Sequence, residues 1–124
     1  MTELIITEKP KTAQKIAESL ADKKPKKEVF QGVSYYSLKR GAKEILVGSA
    51  VGHVFGLFQK GDKKWRYPVF DVEWRALSEK EGSAYTKKYI NVLKKLSAKA
   101  DTFTIATDFD IEGEVIGLNV LRFI

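Results

Sequence analysis

Two short runs of apolar, mostly β-branched residues, one near each end of the chain, are each followed by a helical pattern. Residues 4–6 precede Pro10, which suits the first turn of a helix, and apolar residues then recur at helical spacing over residues 13–20. Residues 103–107 form the second run, and a second helical pattern follows over residues 115–122. Such strand and helix units pack as parallel strands covered by helices, so we predict an α/β domain with a mainly parallel central sheet flanked by helices.

The residues between these units give a mixed pattern. Alternation over residues 33–38 and 45–47 predicts two strands joined by a turn at Arg40-Gly41, and the lysine-rich residues 23–27 predict a charged loop. Four glycines and a basic cluster predict an irregular, loop-rich insertion over residues 48–68. A further helix is predicted from one apolar face, which includes two tyrosines assigned to the core: Tyr85, Tyr89, Val92, Leu93 and Leu96.

Length and composition narrow the class of protein. A chain of 124 residues is one domain at most, and 44% hydrophobic residues can build its core, so we exclude intrinsic disorder. The absence of cysteine excludes disulfide scaffolds, thiolate zinc sites and cysteine nucleophiles. No apolar run approaches about 20 residues, and the first residues lack the basic start of a signal peptide. We therefore expect a soluble cytoplasmic protein with no membrane partner.

Charge is divided unevenly along the chain. Residues 1–99 carry 21 basic and 11 acidic side chains, whereas residues 100–124 carry one basic and five acidic side chains. Scattered lysines often do no more than solvate helix faces. A basic body of this size nevertheless makes nucleic acid a plausible partner.

Several carboxylates follow directly on the late strand. Asp108, Asp110, Glu112 and Glu114 lie between that strand and the next helix, and Glu8 has the same kind of position after the first strand. Ligands of open α/β sheets bind beyond the carboxyl ends of the strands, so neighbouring strands would bring the two loops into one site. A divalent cation keeps close carboxylates ionised together, and Mg²⁺ suits hard oxygen ligands and phosphates.

The acidic cluster has three other interpretations. Acidic residues are favoured at helix N-termini by capping and by the macrodipole, although four within seven residues exceed that need. A calcium loop of the EF-hand type fails because Asn119 stands where its bidentate Glu is expected. An Asp nucleophile of a phosphatase or phosphoacceptor remains open, but it does not explain the basic body.

The sequence resembles the Toprim domain. Residues 7–10 (Thr-Glu-Lys-Pro) and residues 108–114 (Asp-Phe-Asp-Ile-Glu-Gly-Glu) are similar to its two signatures, in the arrangement of type IA DNA topoisomerases. The Glu-Lys-Pro start and the additional Gly52-His53-Val54 favour that branch over primases and nucleases that share the fold. The resemblance covers essentially the whole chain and implies a Toprim, Rossmann-like fold.

The resemblance implies a role for each matching residue. Glu8 matches the acid assigned to proton transfer at the attacking or leaving oxygen, and Lys9 matches a lysine that stabilises charge on the scissile phosphate. Asp108, Asp110 and Glu112 match the acidic triad that holds Mg²⁺. Ile111 stands where the signature usually has Arg, a variant associated with an archaeal-type branch.

The resemblance also points to contacts with single-stranded DNA. His53 matches a family histidine near the backbone of the bound strand. Cations interleave with aromatic rings over residues 60–67, a pattern that suits phosphate contacts and base stacking, although the rings could equally anchor a loop in the core. The predicted DNA-binding residues are His53, Lys60, Lys63, Lys64 and Arg66.

Type IA enzymes cut DNA with a tyrosine from a separate downstream domain, and no tyrosine here has a matching context. We therefore expect a Toprim domain over residues 1–124 that stops before its last strand and is inactive alone. Its partners would be DNA, in the nucleoid, and the remaining domains of the parent topoisomerase, including the tyrosine domain. The alternatives are a stand-alone Toprim nuclease or primase-like protein, and a non-catalytic nucleic-acid-binding module.

Overall fold

A computed structural model describes residues 1–61 and 67–124. The elements in chain order are β1 (Thr2–Thr7), α1 (Pro10–Leu20), β2 (Lys26–Phe30), β3 (Val33–Arg40), β4 (Lys43–Ser49), β5 (Phe55–Gln59), β6 (Val72–Ala76), α2 (Thr86–Ser97), β7 (Thr102–Ala106) and α3 (Ile111–Phe123). A short 3₁₀ helix, Leu77–Glu79, follows β6.

The central sheet has five strands in the order β2-β3-β4-β1-β7. Strand β1 runs parallel to β4 on one side and to β7 on the other. Strand β3 pairs antiparallel with β4, and β2 pairs antiparallel with β3 at the edge of the sheet. Thr7, the last residue of β1, pairs with Ser49 of β4 and Ala106 of β7. The carboxyl ends of the three parallel strands therefore meet at one edge of the sheet.

Helices cover both faces of this sheet. Helix α1 packs on one face, where Ala13 and Ala17 are buried against side chains of β1, β3 and β4. Helices α2 and α3 pack on the other face, where Leu93, Leu96 and Ile116 join a second cluster of buried side chains. This three-layer architecture confirms the predicted α/β fold with a central, mainly parallel sheet flanked by helices.

The prediction of an irregular insertion over residues 48–68 is only partly correct. Residues 55–59 form β5, which pairs antiparallel with β6 in a separate two-stranded sheet. This small sheet contacts the end of α3, where the rings of Phe55 and Phe123 lie 4.9 Å apart. Gly56 interrupts the apolar pattern, and a Cβ at that position would lie 2.7 Å from Leu77 Cδ2. The glycine therefore serves close packing inside a strand and does not mark a loop.

Two smaller predictions are wrong. Lys26 and Lys27 belong to the edge strand β2, not to a loop, because their backbone pairs with β3 while their side chains stay exposed. Tyr85 is not a core residue but the N-cap of α2, and it is 55% exposed. Thr86 is buried at the start of that helix instead, and its hydroxyl donates a 2.7 Å hydrogen bond to the Ser83 carbonyl.

No helix in the described part of the chain combines the length and the apolar character that a membrane crossing requires.

Candidate active site

Glu8 and Lys9 occupy the turn between β1 and α1. Lys9 is the N-cap of α1, and its carbonyl accepts hydrogen bonds from the amides of Thr12 and Ala13. The hydroxyl of the fully buried Thr7 lies 3.1 Å from the Gly48 carbonyl and 3.2 Å from the Lys9 carbonyl, within donating distance of both. The backbone that carries Glu8 is thus fixed from both ends.

The Lys9 ammonium joins the two signature loops. Its Nζ lies 2.9 Å from Asp108 Oδ2 and 3.6 Å from Glu8 Oε1, while the side chain of Glu8 is only 17% exposed. The hydrogen bond to Asp108, followed by the charges of Asp108 and Glu8, raises the pKa of Lys9 above its usual value. Lys9 is therefore a cation held between an acid that follows β1 and an acid that follows β7.

The second loop is fixed by the start of α3. Asp110 is the N-cap of that helix, and its Oδ1 accepts a 2.7 Å hydrogen bond from the Gly113 amide. The Thr107 hydroxyl donates to the Gly113 carbonyl at 2.8 Å. A Cβ on Gly113 would lie 1.9 Å from the Asp108 carbonyl oxygen, so only glycine allows this close approach.

The acidic side chains themselves are open to solvent. Asp108, Asp110, Glu112 and Glu114 are exposed, and Glu112 and Glu114 lie in the first turn of α3, where the helix dipole favours negative charge. Within residues 1–61 and 67–124, no three acidic or histidine side chains lie close enough together to hold a metal ion by themselves. The structure brings Glu8, Lys9 and Asp108 together, and it places Asp110 and Glu112 on the adjoining turn.

A third loop, which follows β4, lies against the first. The Ala50 amide donates to the Thr7 carbonyl at 2.8 Å, and the Gly52 amide donates to the Glu8 carbonyl at 3.0 Å. Gly52 has a φ of 85°, in the region that favours glycine. His53 is exposed and directly follows Gly52, whose amide is bonded to the Glu8 carbonyl. These bonds therefore hold the backbone of His53 near Glu8.

The predicted basic contacts lie elsewhere or outside the described residues. Lys60 follows β5, and its Nζ lies 3.4 Å from Asp71 Oδ1, so it belongs to the β5-β6 hairpin. Lys63, Lys64 and Arg66, predicted to contact DNA, lie outside the described residues.

The arrangement of signature loops on adjacent parallel strands agrees with a comparison against known families. Residues 3–124 match the Toprim domain. The chain belongs to the Toprim domain family. This Toprim chain is 53% identical over 124 residues to a protein named DNA topoisomerase 1 from Methanocaldococcus jannaschii, with 99% of the chain and 16% of the relative covered.

Two further relatives show how widely the similarity extends. A DNA topoisomerase 1 from Pyrococcus furiosus is 48% identical over 122 residues, which cover 97% of this Toprim chain and 11% of the relative. A DNA topoisomerase 3 from Haemophilus influenzae is 30% identical over 121 residues, which cover 91% of the chain and 17% of the relative. The chain thus spans less than a fifth of the length of these relatives.

The residues of this Toprim site suit Mg²⁺ by their chemistry. Asp108, Asp110 and Glu112 supply carboxylate oxygens, which are the hard ligands that Mg²⁺ prefers. The Lys9 ammonium already lies at a point where positive charge is attracted by two carboxylates. Mg²⁺ usually keeps several waters and shares phosphate ligands, so it does not need a closed cage of protein side chains.

Two hydroxyl groups help to position the Toprim site, and sequence reasoning gave neither of them a role. Thr7 and Thr107 stand at matching places, at the end of β1 and directly after β7, and the hydroxyl of each contacts a carbonyl of its signature loop. Ser49, at the end of β4, is also buried, but its hydroxyl has no hydrogen-bond partner among the described residues. A hydroxyl residue at the end of each predicted strand, directly before an acidic or glycine-rich loop, is the signal that could have found them.

Proposed function

We propose that this chain is the Mg²⁺-binding catalytic subdomain of a type IA DNA topoisomerase, which cuts and rejoins single DNA strands to relax negative supercoils. The contact of Lys9 with both Glu8 and Asp108 carries this proposal, because it joins the two signature loops into one charged site. The relatives named DNA topoisomerase support the same reaction class.

The proposed reaction is a transesterification. A tyrosine from another domain attacks the phosphorus of a single-strand phosphodiester, an O–P bond to tyrosine forms, and the bond to the 3′ oxygen breaks. The phenolic proton of the tyrosine passes to solvent as its O–P bond forms, and Glu8 gives a proton to the departing 3′ oxygen. Both proton transfers are reversed when the strand is rejoined. Because the phosphotyrosyl ester retains the bond energy, no nucleotide cofactor is required.

The other groups of the site act on charge. Lys9 stabilises negative charge on the phosphate oxygens as the bonds change. Asp108, Asp110 and Glu112 would hold Mg²⁺, which when bound supplies positive charge beside the phosphate and offsets the repulsion between DNA and the acidic loop. Glu8 is the least exposed of these acids and lies at the turn between β1 and α1, which suits a group that transfers a proton.

Plasmid relaxation by the intact protein that contains this chain tests the proposal. With Mg²⁺ it should relax negatively supercoiled DNA, and Glu8→Ala should lower the rate about 10²- to 10⁴-fold. Glu18→Ala, which removes an equal charge from the exposed side of α1, is the control and should retain the wild-type rate. Unchanged relaxation by Glu8→Ala would contradict the assignment.

The same proposal predicts that the 124-residue chain alone neither cleaves nor rejoins DNA, because the attacking tyrosine is supplied by another domain. Metal-dependent cleavage of single-stranded DNA by the purified chain would instead favour a stand-alone Toprim nuclease.

A further inference from the structure

The Lys9 side chain acts as a built-in counterion of the acidic site. Its Nζ contacts Asp108 at 2.9 Å and Glu8 at 3.6 Å, and the contact with Asp108 joins residues 99 positions apart in sequence. Two carboxylates on neighbouring strand ends would otherwise repel each other. The ammonium therefore performs the charge neutralisation that a bound metal ion would also perform.

Asp108 is the acidic-segment carboxylate that Lys9 contacts, at 2.9 Å. Asp110 uses Oδ1 to accept from the Gly113 amide, which leaves its other oxygen for further partners. Glu112 is exposed in the first turn of α3. A cation that takes Asp108 as one of its ligands must therefore share it with the Lys9 ammonium or displace the ammonium, and two cations on one carboxylate repel each other.

The Lys9 side chain can move without disturbing the fold. Its backbone is fixed as the N-cap of α1 by the hydrogen bonds that its carbonyl accepts from Thr12 and Ala13. Its side chain is 59% exposed, so only rotation of the flexible stem is needed to leave Asp108. An exposed ion pair of this kind is weak enough to be broken by a competing ligand.

We propose that Lys9 and a divalent cation compete for Asp108, so that metal binding releases the Lys9 ammonium to bind a phosphate oxygen of the DNA strand. This inference rests on the proposed function. Because coupling between two ligands is reciprocal, a strand that draws Lys9 away from Asp108 also strengthens metal binding. Lys9 is in this view the element through which metal and DNA strengthen each other's binding.

The first test needs no metal. Asp108→Asn should free Lys9, so the affinity of the chain for a labelled single-stranded oligonucleotide in EDTA should rise, as measured by fluorescence anisotropy. Glu114→Gln is the matched control, since it removes the same charge from the same acidic segment and has no contact with Lys9 among the described residues. We expect the gain of Asp108→Asn to exceed that of Glu114→Gln by about three- to fivefold.

A double variant separates release of Lys9 from simple removal of negative charge. In a Lys9→Met background, Asp108→Asn should raise the oligonucleotide affinity no more than Glu114→Gln does, because the ammonium that would be released is missing. The inference would be overturned if Asp108→Asn still raised the oligonucleotide affinity beyond Glu114→Gln in the absence of Lys9. It would also be overturned if Asp108→Asn and Glu114→Gln raised the affinity equally when Lys9 is present.

The second test measures Mg²⁺ affinity by calorimetry without DNA. Lys9→Met should bind Mg²⁺ roughly two- to fivefold more tightly than Lys11→Met, which removes an equal charge two residues away in the first turn of α1. Equal or weaker binding by Lys9→Met overturns the inference and leaves the proposed function standing. A wild-type chain that binds neither Mg²⁺ nor the oligonucleotide would contradict both.

Discussion

At the scale of single residues, Asp110 has two separable tasks. Its Oδ1 caps α3 through the Gly113 amide, and in the proposed function its carboxylate also helps to hold Mg²⁺. The structure shows the first task, which is the structural interpretation of acidic residues at a helix start. Substitutions that keep the cap but remove the charge can therefore test the second task alone.

We expect Asp110→Asn to keep the free energy of unfolding within about 0.5 kcal/mol of the wild type, because Asn caps helices as well as Asp. Asp110→Ala should lose about 1 kcal/mol, because the cap is removed. Both variants should bind Mg²⁺ about tenfold more weakly or worse. Urea unfolding and calorimetry measure the two effects, and an Asn variant with wild-type Mg²⁺ affinity would limit Asp110 to capping.

Residue identity predicted some of this site and missed the rest. Glu8 and the acidic segment were predicted from their position directly after strands, whereas Lys9 was predicted only from the resemblance to the Toprim signature. Thr7 belongs to that signature and Thr107 precedes the second one, but neither hydroxyl was given a role, because threonine is also a common strand residue and only the folded loops show what its hydroxyl contacts. The hydrogen bond between Lys9 and Asp108 depends on the pairing of distant strands, which a local pattern does not reveal.

At the scale of elements, β1 is held to both of its neighbours by one side chain. Glu3 Oε2 lies 2.7 Å from Nζ of Lys43, at the start of β4. Glu3 Oε1 accepts a hydrogen bond from the Thr104 hydroxyl on β7. These two hydrogen bonds, that from Lys43 first, lower the pKa of Glu3 against the opposing effect of burial. The side chain thus fastens the three parallel strands near their amino ends, opposite the candidate site.

A lowered pKa in the folded state means that the Glu3 contribution is present above the pKa of the unfolded chain and is lost as pH falls through the folded value. We expect Glu3→Gln to lower the free energy of unfolding by about 1 kcal/mol at pH 7. Urea unfolding between pH 7 and pH 3 should show this difference shrinking towards zero. Glu18→Gln, which removes an equal charge from the exposed side of α1, is the control. A Glu3→Gln deficit that stays constant with pH would contradict the assignment.

The elements with a recognisable hydrophobic period were predictable, and these include the β3-β4 hairpin and α2 as well as β1, α1, β7 and α3. The strands β2, β5 and β6 were not predicted, because lysines and glycines mask any such period. The β5-β6 sheet was missed because Gly56 and the surrounding glycines look like turn residues when Leu77 is not known to lie against them. Close packing between elements decides such cases, and local sequence does not contain it.

At the scale of the whole molecule, the uneven charge predicts how the chain would bind a DNA strand. The basic residues 1–99 would contact phosphates, whereas the acidic loop before α3 repels them until a cation is present. Affinity for a single strand falls with salt by about 0.7 logarithmic units per phosphate contact for each tenfold rise in salt concentration.

We expect Lys60→Met to reduce that salt slope by about 0.7, since Lys60 is 53% exposed and its pairing with Asp71 is weak enough to exchange for a phosphate. Oligonucleotide binding measured by anisotropy between about 50 and 200 mM salt gives the slope. Lys80→Met, an equal charge change just after the 3₁₀ helix, serves as the comparison. Identical slopes for Lys60→Met and the wild type would remove Lys60 from the DNA surface.

The pairing of the first and last strands of the central sheet also has a consequence for the order in which the site is made. During synthesis Lys9 leaves the ribosome 99 residues before Asp108, and β1 cannot pair with β7 until the later strand exists. Closing a loop of that length is slow compared with forming a local hairpin such as β3-β4. The nascent chain would therefore fold much of its sheet while its charged site was still in two separate halves.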